Sequence, residues 1–492
     1  MTTNLPVHVT KGAGKPMAVQ IADQVRSAVA GGVLSGGERL PSSRELARTL
    51  GVSRTVATAA YTQLFAEGWL EGRHGSGTFV ADGVGSSSVA RSQPPPSRAA
   101  RAPRSPSIEL RPGIPWAAGI DQAMWRRAFR YAGARPPSAW SDPAGLLELR
   151  TDVAGYLRRA RGLTAGPEQV LITRGVAAGL ALLAAEVIKP GDRVGVEEPG
   201  YPKGRDVLAR AGATVIPCHA DSSGLVTSDL PRDLRLVYTT PAHQYPLGGR
   251  LPVRRRQELI AWARQTGALI VEDDYDSEFR YDVAPLPSLY SMAPDRVVYL
   301  GTTTKVLTPA LGLGWLVAEP GLTGRLTAFE DRVPEPVQHA VLALLRGGDL
   351  ERHIRRMRLE YARRRSAVVG ALGETGFRLL GDTAGMHVVL ELPARALASS
   401  VVEQARLRDV ELWTLDRYFA GPPTRAGLII GYGTTTEPQV RRACGLVREL
   451  LVRLRDKNLG SWYRGGSGTQ PHSGVRDHGS LVATYAANDP PA

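Results

Sequence analysis

Residues 268–275, ALIVEDDY, and residues 297–305, VVYLGTTTK, each carry a short aliphatic run into a polar turn. Runs of this length, rich in β-branched residues and closed by polar groups, are strand signals. Upstream, 170–173, 194–196 and 237–240 follow the same rule. Amphipathic or apolar stretches such as AAGLALLAAEVI (177–188) separate them. Alternation of strand and helix from about 168 to 320 predicts a mostly parallel sheet with helices on both faces. In such sheets ligands sit at the carboxyl ends of strands.

The chemistry-bearing residues fall at those ends. After 170–173, Gly175 and Val176 open a helix whose free amides suit a phosphate. After 194–196 comes Tyr201, which can stack on a planar ring. After 237–240 come His243 and Gln244, which can hydrogen-bond a ring oxygen. The two quoted stretches supply Asp273 or Asp274, then Tyr275, Thr302, Thr304 and Lys305. Pyridoxal phosphate (PLP) works as an electron sink when a carboxylate keeps its ring nitrogen protonated. A lysine flanked by hydroxyls can form its Schiff base while the hydroxyls hold its phosphate. Burial and neighbouring charge lower a lysine pKa enough for that chemistry.

A different pattern fills the first 80 residues. Met17, Ile21, Val25 and Val29 share one helix face, and Gly31-Gly32 ends it. Ser42 with Glu45 forms a capping box, Gly51 breaks the chain, and Ser53 caps a third helix to about Glu67. Two short helices joined by a glycine turn predict a helix-turn-helix, with Arg54, Thr55 and Thr58 offered to the major groove. Trp69-Leu70 and 78–80 then flank a wing, with Arg73 and His74 near its tip.

Composition agrees with a nucleic-acid partner. The 492 residues carry 61 Lys and Arg against 47 Asp and Glu, a net charge of +14. Cys218 and Cys444 make neither a metal spacing nor a disulfide framework. With no apolar leader and no long uncharged apolar run, a cytoplasmic protein is expected. The boundaries predicted are a DNA-binding domain over 15–80, a Gly/Ser/Pro/Arg linker over 81–107, a large domain over 108–456 and a disordered tail over 457–492. The arginine-rich stretch 351–365 is expected to be a solvated helix.

LPSSRELARTLGVSRTVATAAYTQLFAEGWLEGRHGSGTFV (40–80) resembles the GntR family of winged-helix regulators. That resemblance implies DNA contacts from Ser42, Arg44, Arg54, Thr55 and the wing Gly75, Ser76 and Gly77. PAHQYPLGG (241–249), VEDDYDSEFRYD (271–282), VVYLGTTTKVLTPALGLGW (297–315) and GDLERHIRRMRLEYARRR (348–365) resemble the fold-type-I aminotransferase superfamily. Together they are similar to the MocR/GabR regulators over roughly residues 15–455. The implied architecture is multidomain α/β: an N-terminal winged helix-turn-helix, a large PLP-transferase-like α/β/α domain and a small C-terminal α+β subdomain. The resemblance implies Lys305 as the Schiff-base lysine and Asp273 at the ring nitrogen. It places Tyr275 and Gln244 near the phenolic oxygen and Tyr201 over the ring. Gly175, Val176, Thr302 and Thr304 would surround the phosphate.

Three positions depart from the family pattern. Gly312 stands where relatives usually carry a phosphate-binding arginine. Val176-Ala177-Ala178 lacks the usual glutamine. Lys203 replaces an arginine that in some relatives meets an effector carboxylate; Arg425 is a second candidate for that carboxylate. The implied function is regulation of transcription by a head-to-tail homodimer that binds double-stranded operator DNA and senses PLP or an amino-compound effector. Two other readings remain open at this point: an aminotransferase with an accessory DNA-binding domain, and a regulator whose sensor has lost PLP.

Overall fold

The computed structural model describes residues 5, 7–10, 14–73, 77–82, 107–136, 138–282, 287–329 and 332–462. The chain divides into two compact units, Met1–Pro103 and Arg104–Ala492. The expected linker falls almost wholly on 83–106, outside the described residues.

The first unit holds α1 (Met17–Ala30), β1 (Arg39–Leu40), α2 (Ser43–Leu50), α3 (Arg54–Ala66), β2 (Leu70–Arg73) and β3 (Gly77–Val80). Both expected caps form. Ser42 Oγ accepts from Glu45 N at 3.2 Å, and Ser53 Oγ accepts from Val56 N at 3.3 Å. Each satisfies an amide that a helix start leaves unpaired. Gly51 ends α2 at φ +63°, a left-handed angle that glycine adopts without strain. Ile21, Val25, Leu46, Ala57, Ala60, Leu64 and Val80 fill the core. The three strands pair antiparallel in the order β1-β3-β2. Val7 is also buried in this core, so packing starts upstream of residue 15. The residues before α1 have no periodicity that would have revealed it.

In the second unit the strands run β4 (Ile108–Glu109), β5 (Val170–Thr173), β6 (Arg193–Glu198), β7 (Thr214–Asp221), β8 (Gly224–Leu225), β9 (Leu236–Thr239), β10 (Leu269–Asp274), β11 (Val297–Thr302), β12 (Gly314–Val317), β13 (Leu379–Leu380), β14 (His387–Leu392), β15 (Val410–Glu411), β16 (Trp413–Thr414) and β17 (Ala426–Gly431). Eight form one sheet in the order β5-β12-β11-β10-β9-β6-β7-β8. The pairs from β7 through β6, β9 and β10 to β11 are parallel, and β12 runs antiparallel between β11 and β5. The sheet is therefore mixed rather than uniformly parallel. β12 follows β11 through a short connection, too short for the helical crossover that a parallel strand needs.

Helices α4 (Gln122–Gly133), α5 (Leu147–Arg161), α6 (Val176–Val187), α7 (Pro202–Arg210), α8 (Val253–Thr266), α9 (Leu289–Met292), α10 (Pro320–Leu326) and α11 (Glu335–Arg346) accompany this sheet. Two hydrophobic clusters take its alternate side chains. Ile270 lies in one with Val237, and Val271 lies in the other with Leu180 and Leu300. Helices α12 (Asp349–Leu372), α13 (Arg395–Arg406) and α14 (Glu437–Trp462) belong with the antiparallel sheet β13-β14-β17-β16. β4 and β15 pair parallel, tying residue 108 to this small subdomain.

Two details differ from expectation. α14 continues to Trp462, past residue 456, and 463–492 lie outside the described residues. Backbone hydrogen bonding carries the helix through DKNLGSW, whose polar composition had suggested its end. In α12, Arg364 is fully buried rather than solvated. It pairs with Glu360, donates to the carbonyls of Tyr432 and Gly433, and stacks on Trp116. No helix among the described residues is long and apolar enough to cross a membrane.

Candidate functional site

The carboxyl ends of β5, β10 and β11, with the turns after β6 and β9, converge on a cavity of about 380 Å3. After β5, Arg174, Gly175, Val176 and Ala177 line it and turn the chain into α6. Gly175 sits at φ +94°, and a Cβ on Gly314 would lie 2.9 Å from the Gly175 Cα. The backbone here is thus pinned in a turn that a side chain would strain. Helix-start amides lack intrahelical acceptors, so this corner suits an anion. β11 brings Thr302 and Thr304 to the same wall. Thr302 Oγ1 donates to Thr304 Oγ1 at 2.9 Å and accepts from Thr304 N at 3.0 Å. Thr303 turns inward and donates to Leu313 O.

Lys305 Nζ donates to Gly113 O at 2.5 Å. Burial lowers its pKa; Asp276 and Asp273 oppose that effect, and Lys203 adds to it. A lowered pKa leaves more of the neutral, nucleophilic amine at a given pH. Strand alternation resolves the choice between neighbouring acids. Asp273 lines the cavity, accepts from the Tyr238 hydroxyl through Oδ2, and has no partner at Oδ1. Burial pushes its pKa up to about 7, the Tyr238 hydrogen bond opposes this, and Asp274 adds to it. Asp274 is absent from the cavity wall and accepts from Arg161 Nε and the Tyr299 hydroxyl, each at 2.6 Å. Tyr201, Lys203 and Tyr275 complete the group of expected residues on the wall. Burial holds the Tyr275 phenol well above its ordinary pKa, so it remains protonated.

Three expected residues lie elsewhere. Gln244 is wholly buried; its amide nitrogen reaches Glu197 Oε2, Pro199 O and Tyr245 O, and its oxygen accepts from Leu247 N. Those bonds use its capacity, so it braces the β9 turn instead of meeting a ring oxygen. His243 is behind the wall, with Nδ1 3.0 Å from Asp276 Oδ2 and 2.9 Å from the Tyr275 hydroxyl. It can orient Tyr275 but does not line the cavity. Arg425 pairs with Glu391 at 2.7 Å just before β17, away from the cavity. The sequence reading missed Arg174, Tyr245 and Trp413 as wall residues. Tyr245 packs edge-on against both Tyr201 and Tyr275, a contact that no local motif displays.

In the first unit, Ser42, Arg44, Arg54, Thr55 and Thr58 are exposed on α2 and α3 or their caps. The exposed face of α3 continues through Ala59 and Thr62. Arg73 is occupied by Glu71 and Asp82 and lies over the Phe79 ring, so two carboxylates compete with any phosphate for it. Arg39, missed in the sequence, lies over Gly77; a Cβ there would come within 3.3 Å of its Nε. His74, Gly75 and Ser76 lie outside the described residues.

Residues 17–80 match the family described as bacterial regulatory proteins, gntR family, and residues 123–429 match aminotransferase class I and II. The chain is 37% identical over 456 residues to the pyridoxine biosynthesis transcriptional regulator PdxR of Corynebacterium glutamicum, covering 90% of this chain and 97% of that one. It is 33% identical over 475 residues to the probable rhizopine catabolism regulatory protein MocR of Rhizobium meliloti, covering 90% and 95%. The chain belongs to the MocR-type regulators. An archaeal alanine:glyoxylate aminotransferase shares the fold of the aminotransferase-like domain of this MocR-type regulator, with TM-score 0.66 and 23% identity over 70% of this chain and 91% of that one.

PLP is the cofactor of this domain class, and the MocR-type cavity fits it. Asp273 offers an open carboxylate oxygen for a ring N–H, Lys305 an amine for the aldehyde, and the α6 amides with Thr302 and Thr304 a seat for the phosphate. Gly312 also lines the cavity, at φ +53°, with nothing within 4 Å of a Cβ built on it. The space above Gly312 is open.

Proposed function

We propose that this MocR-type regulator binds operator DNA through α3 and the wing, and senses PLP, alone or with an amino-compound effector, at Lys305. Lys305 and Asp273 meeting in one cavity, in a chain that also carries a winged helix, support the reading. When bound, PLP supplies an aldehyde that a primary amine can attack, with a ring that withdraws electrons. Lys305 presents that amine, and Asp273 holds a proton at the ring nitrogen. Tyr275 keeps a phenolic proton near the ring. Lys203 lies on the wall where an effector carboxylate can reach it. The cytoplasm and a head-to-tail homodimer belong to this proposal.

For ligand binding to alter DNA affinity, the ligand must bind two arrangements of the protein unequally. The test has two arms. In the first, wild type develops the visible absorbance that PLP gains on condensing with lysine, and Lys305→Ala does not. In the second, operator footprinting with and without PLP shows a change in wild type alone. A wild type that stays colourless with added PLP sinks the reading. Arg54→Ala should weaken DNA binding, and a phosphate contact there would lower the salt slope by about one. Lys305, Asp273 and Tyr275 also keep transamination chemically open, and repeated turnover with an amino donor and a keto acid would favour an enzyme.

A further inference from the structure

We propose that Arg174 supplies the phosphate-binding charge that position 312 no longer carries. The inference rests on the PLP reading of the same cavity. The wall itself fixes which corner receives the anion. Asp273, 4% exposed with Oδ1 unpartnered, marks where a protonated ring nitrogen belongs. The start of the 12-residue helix α6 and the paired hydroxyls of Thr302 and Thr304 mark where the anionic group belongs. Amides and hydroxyls donate hydrogen bonds to a phosphate but bring no full charge, and a guanidinium forms the stronger, charge-assisted pair. Gly312 contributes no side chain to that corner. Lys305 is committed to the aldehyde.

Arg174 lines the same cavity and immediately precedes Gly175. Its backbone is held on both sides. Thr173 ends β5 in register with Gly314, and Thr173 Oγ1 donates to Gly175 O at 3.2 Å. The residue is exposed and lines the cavity beside Val176 and Ala177, whose amides open α6, and a guanidinium has five donors to share among its partners. Relatives reach the phosphate from the segment after the lysine; this chain reaches it from the turn after β5.

The experiment titrates the full-length protein with PLP and with pyridoxal, which has the same ring and aldehyde but no phosphate. Visible absorbance reports binding of both. Arg174→Ala should weaken PLP about tenfold to a hundredfold, roughly 1.4–2.8 kcal/mol at about 1.4 per decade, and leave pyridoxal unchanged. Arg174→Ala combined with Gly312→Arg should recover part of the PLP affinity. Arg174→Lys should fall between wild type and Arg174→Ala, since lysine keeps the charge without the planar fork. Equal loss for both ligands, or no loss for either, overturns the role of Arg174. A wild type that binds neither aldehyde overturns the cofactor reading and, with it, this inference. Circular dichroism of each variant separates misfolding from lost affinity.

Discussion

β10 has a cavity side and a core side, and consecutive aspartates sort onto them. Both are buried, and each keeps one carboxylate oxygen without a hydrogen-bond partner. An open oxygen alone therefore does not distinguish a ligand site from a scaffold. Charge compensation does. Asp274 is paired with Arg161, both side chains 1% exposed, and is held as well by Tyr299. Asp273 has only a tyrosine hydroxyl on it and looks into a cavity with Lys305. The core side has resolved its electrostatics internally, whereas the cavity side leaves a carboxylate for something else to complete.

Removing the core acid gives the largest expected effect. Asp274→Ala removes the carboxylate hydrogen-bonded to the buried Arg161 and should cost about 3–5 kcal/mol of stability, read by urea unfolding. If the loss is below about 1 kcal/mol, the two sides differ less than the geometry indicates.

Asp273→Asn should act in the opposite sense on the unliganded protein. Folding raises this carboxyl from 3.8 to about 7, mainly through burial. Between those values the folded state holds a proton that the unfolded state has released, so this group's contribution to stability falls as pH rises from about 4 to 7. The amide has no such titration. Thermal melts without PLP should show the variant gaining on wild type through that window and keeping the gain above it. The same substitution should weaken PLP binding by about tenfold or more, since an amide pairs poorly with a ring N–H cation; a charged hydrogen bond is worth roughly 1.5–3 kcal/mol. A variant that binds PLP as wild type does would move Asp273 to the scaffold.

The smallest effect belongs to Arg425→Ala. Its partly exposed pair with Glu391 should contribute about 1 kcal/mol or less, and PLP and pyridoxal titrations should match wild type. Altered effector binding in this variant would return Arg425 to the ligand site.

Legibility in the sequence followed the same division. The strand order could not be read, but the strand ends could, because a polar turn after an aliphatic run is a local signal. Lys305, Asp273, Tyr275, Thr302 and Thr304 were found this way and share one wall. Gln244 was placed wrongly because its role depends on Glu197, 47 residues away and equally buried. His243 has the type and position of a ligand residue, yet its imidazole faces Asp276. Arg174 looked like any turn residue, since nothing local reveals that the turn before β12 comes to the same cavity wall. The helix caps of the first unit were legible because serine, amide and glycine act within four residues of one another.

Gly312 and Gly314 stand two residues apart on the way into β12. At 312 the space above the Cα is open, and what opposes a side chain is the left-handed φ of +53°. At 314 a single added carbon would strike Gly301 O at 2.6 Å and Gly175 Cα at 2.9 Å. A side chain at the first position therefore costs about 1–2 kcal/mol of backbone strain, and at the second it is blocked by contact. A charge added at 312 would be held against the preference of its own backbone, whereas the outline of the seat at Gly314 is fixed by the atoms packed on it.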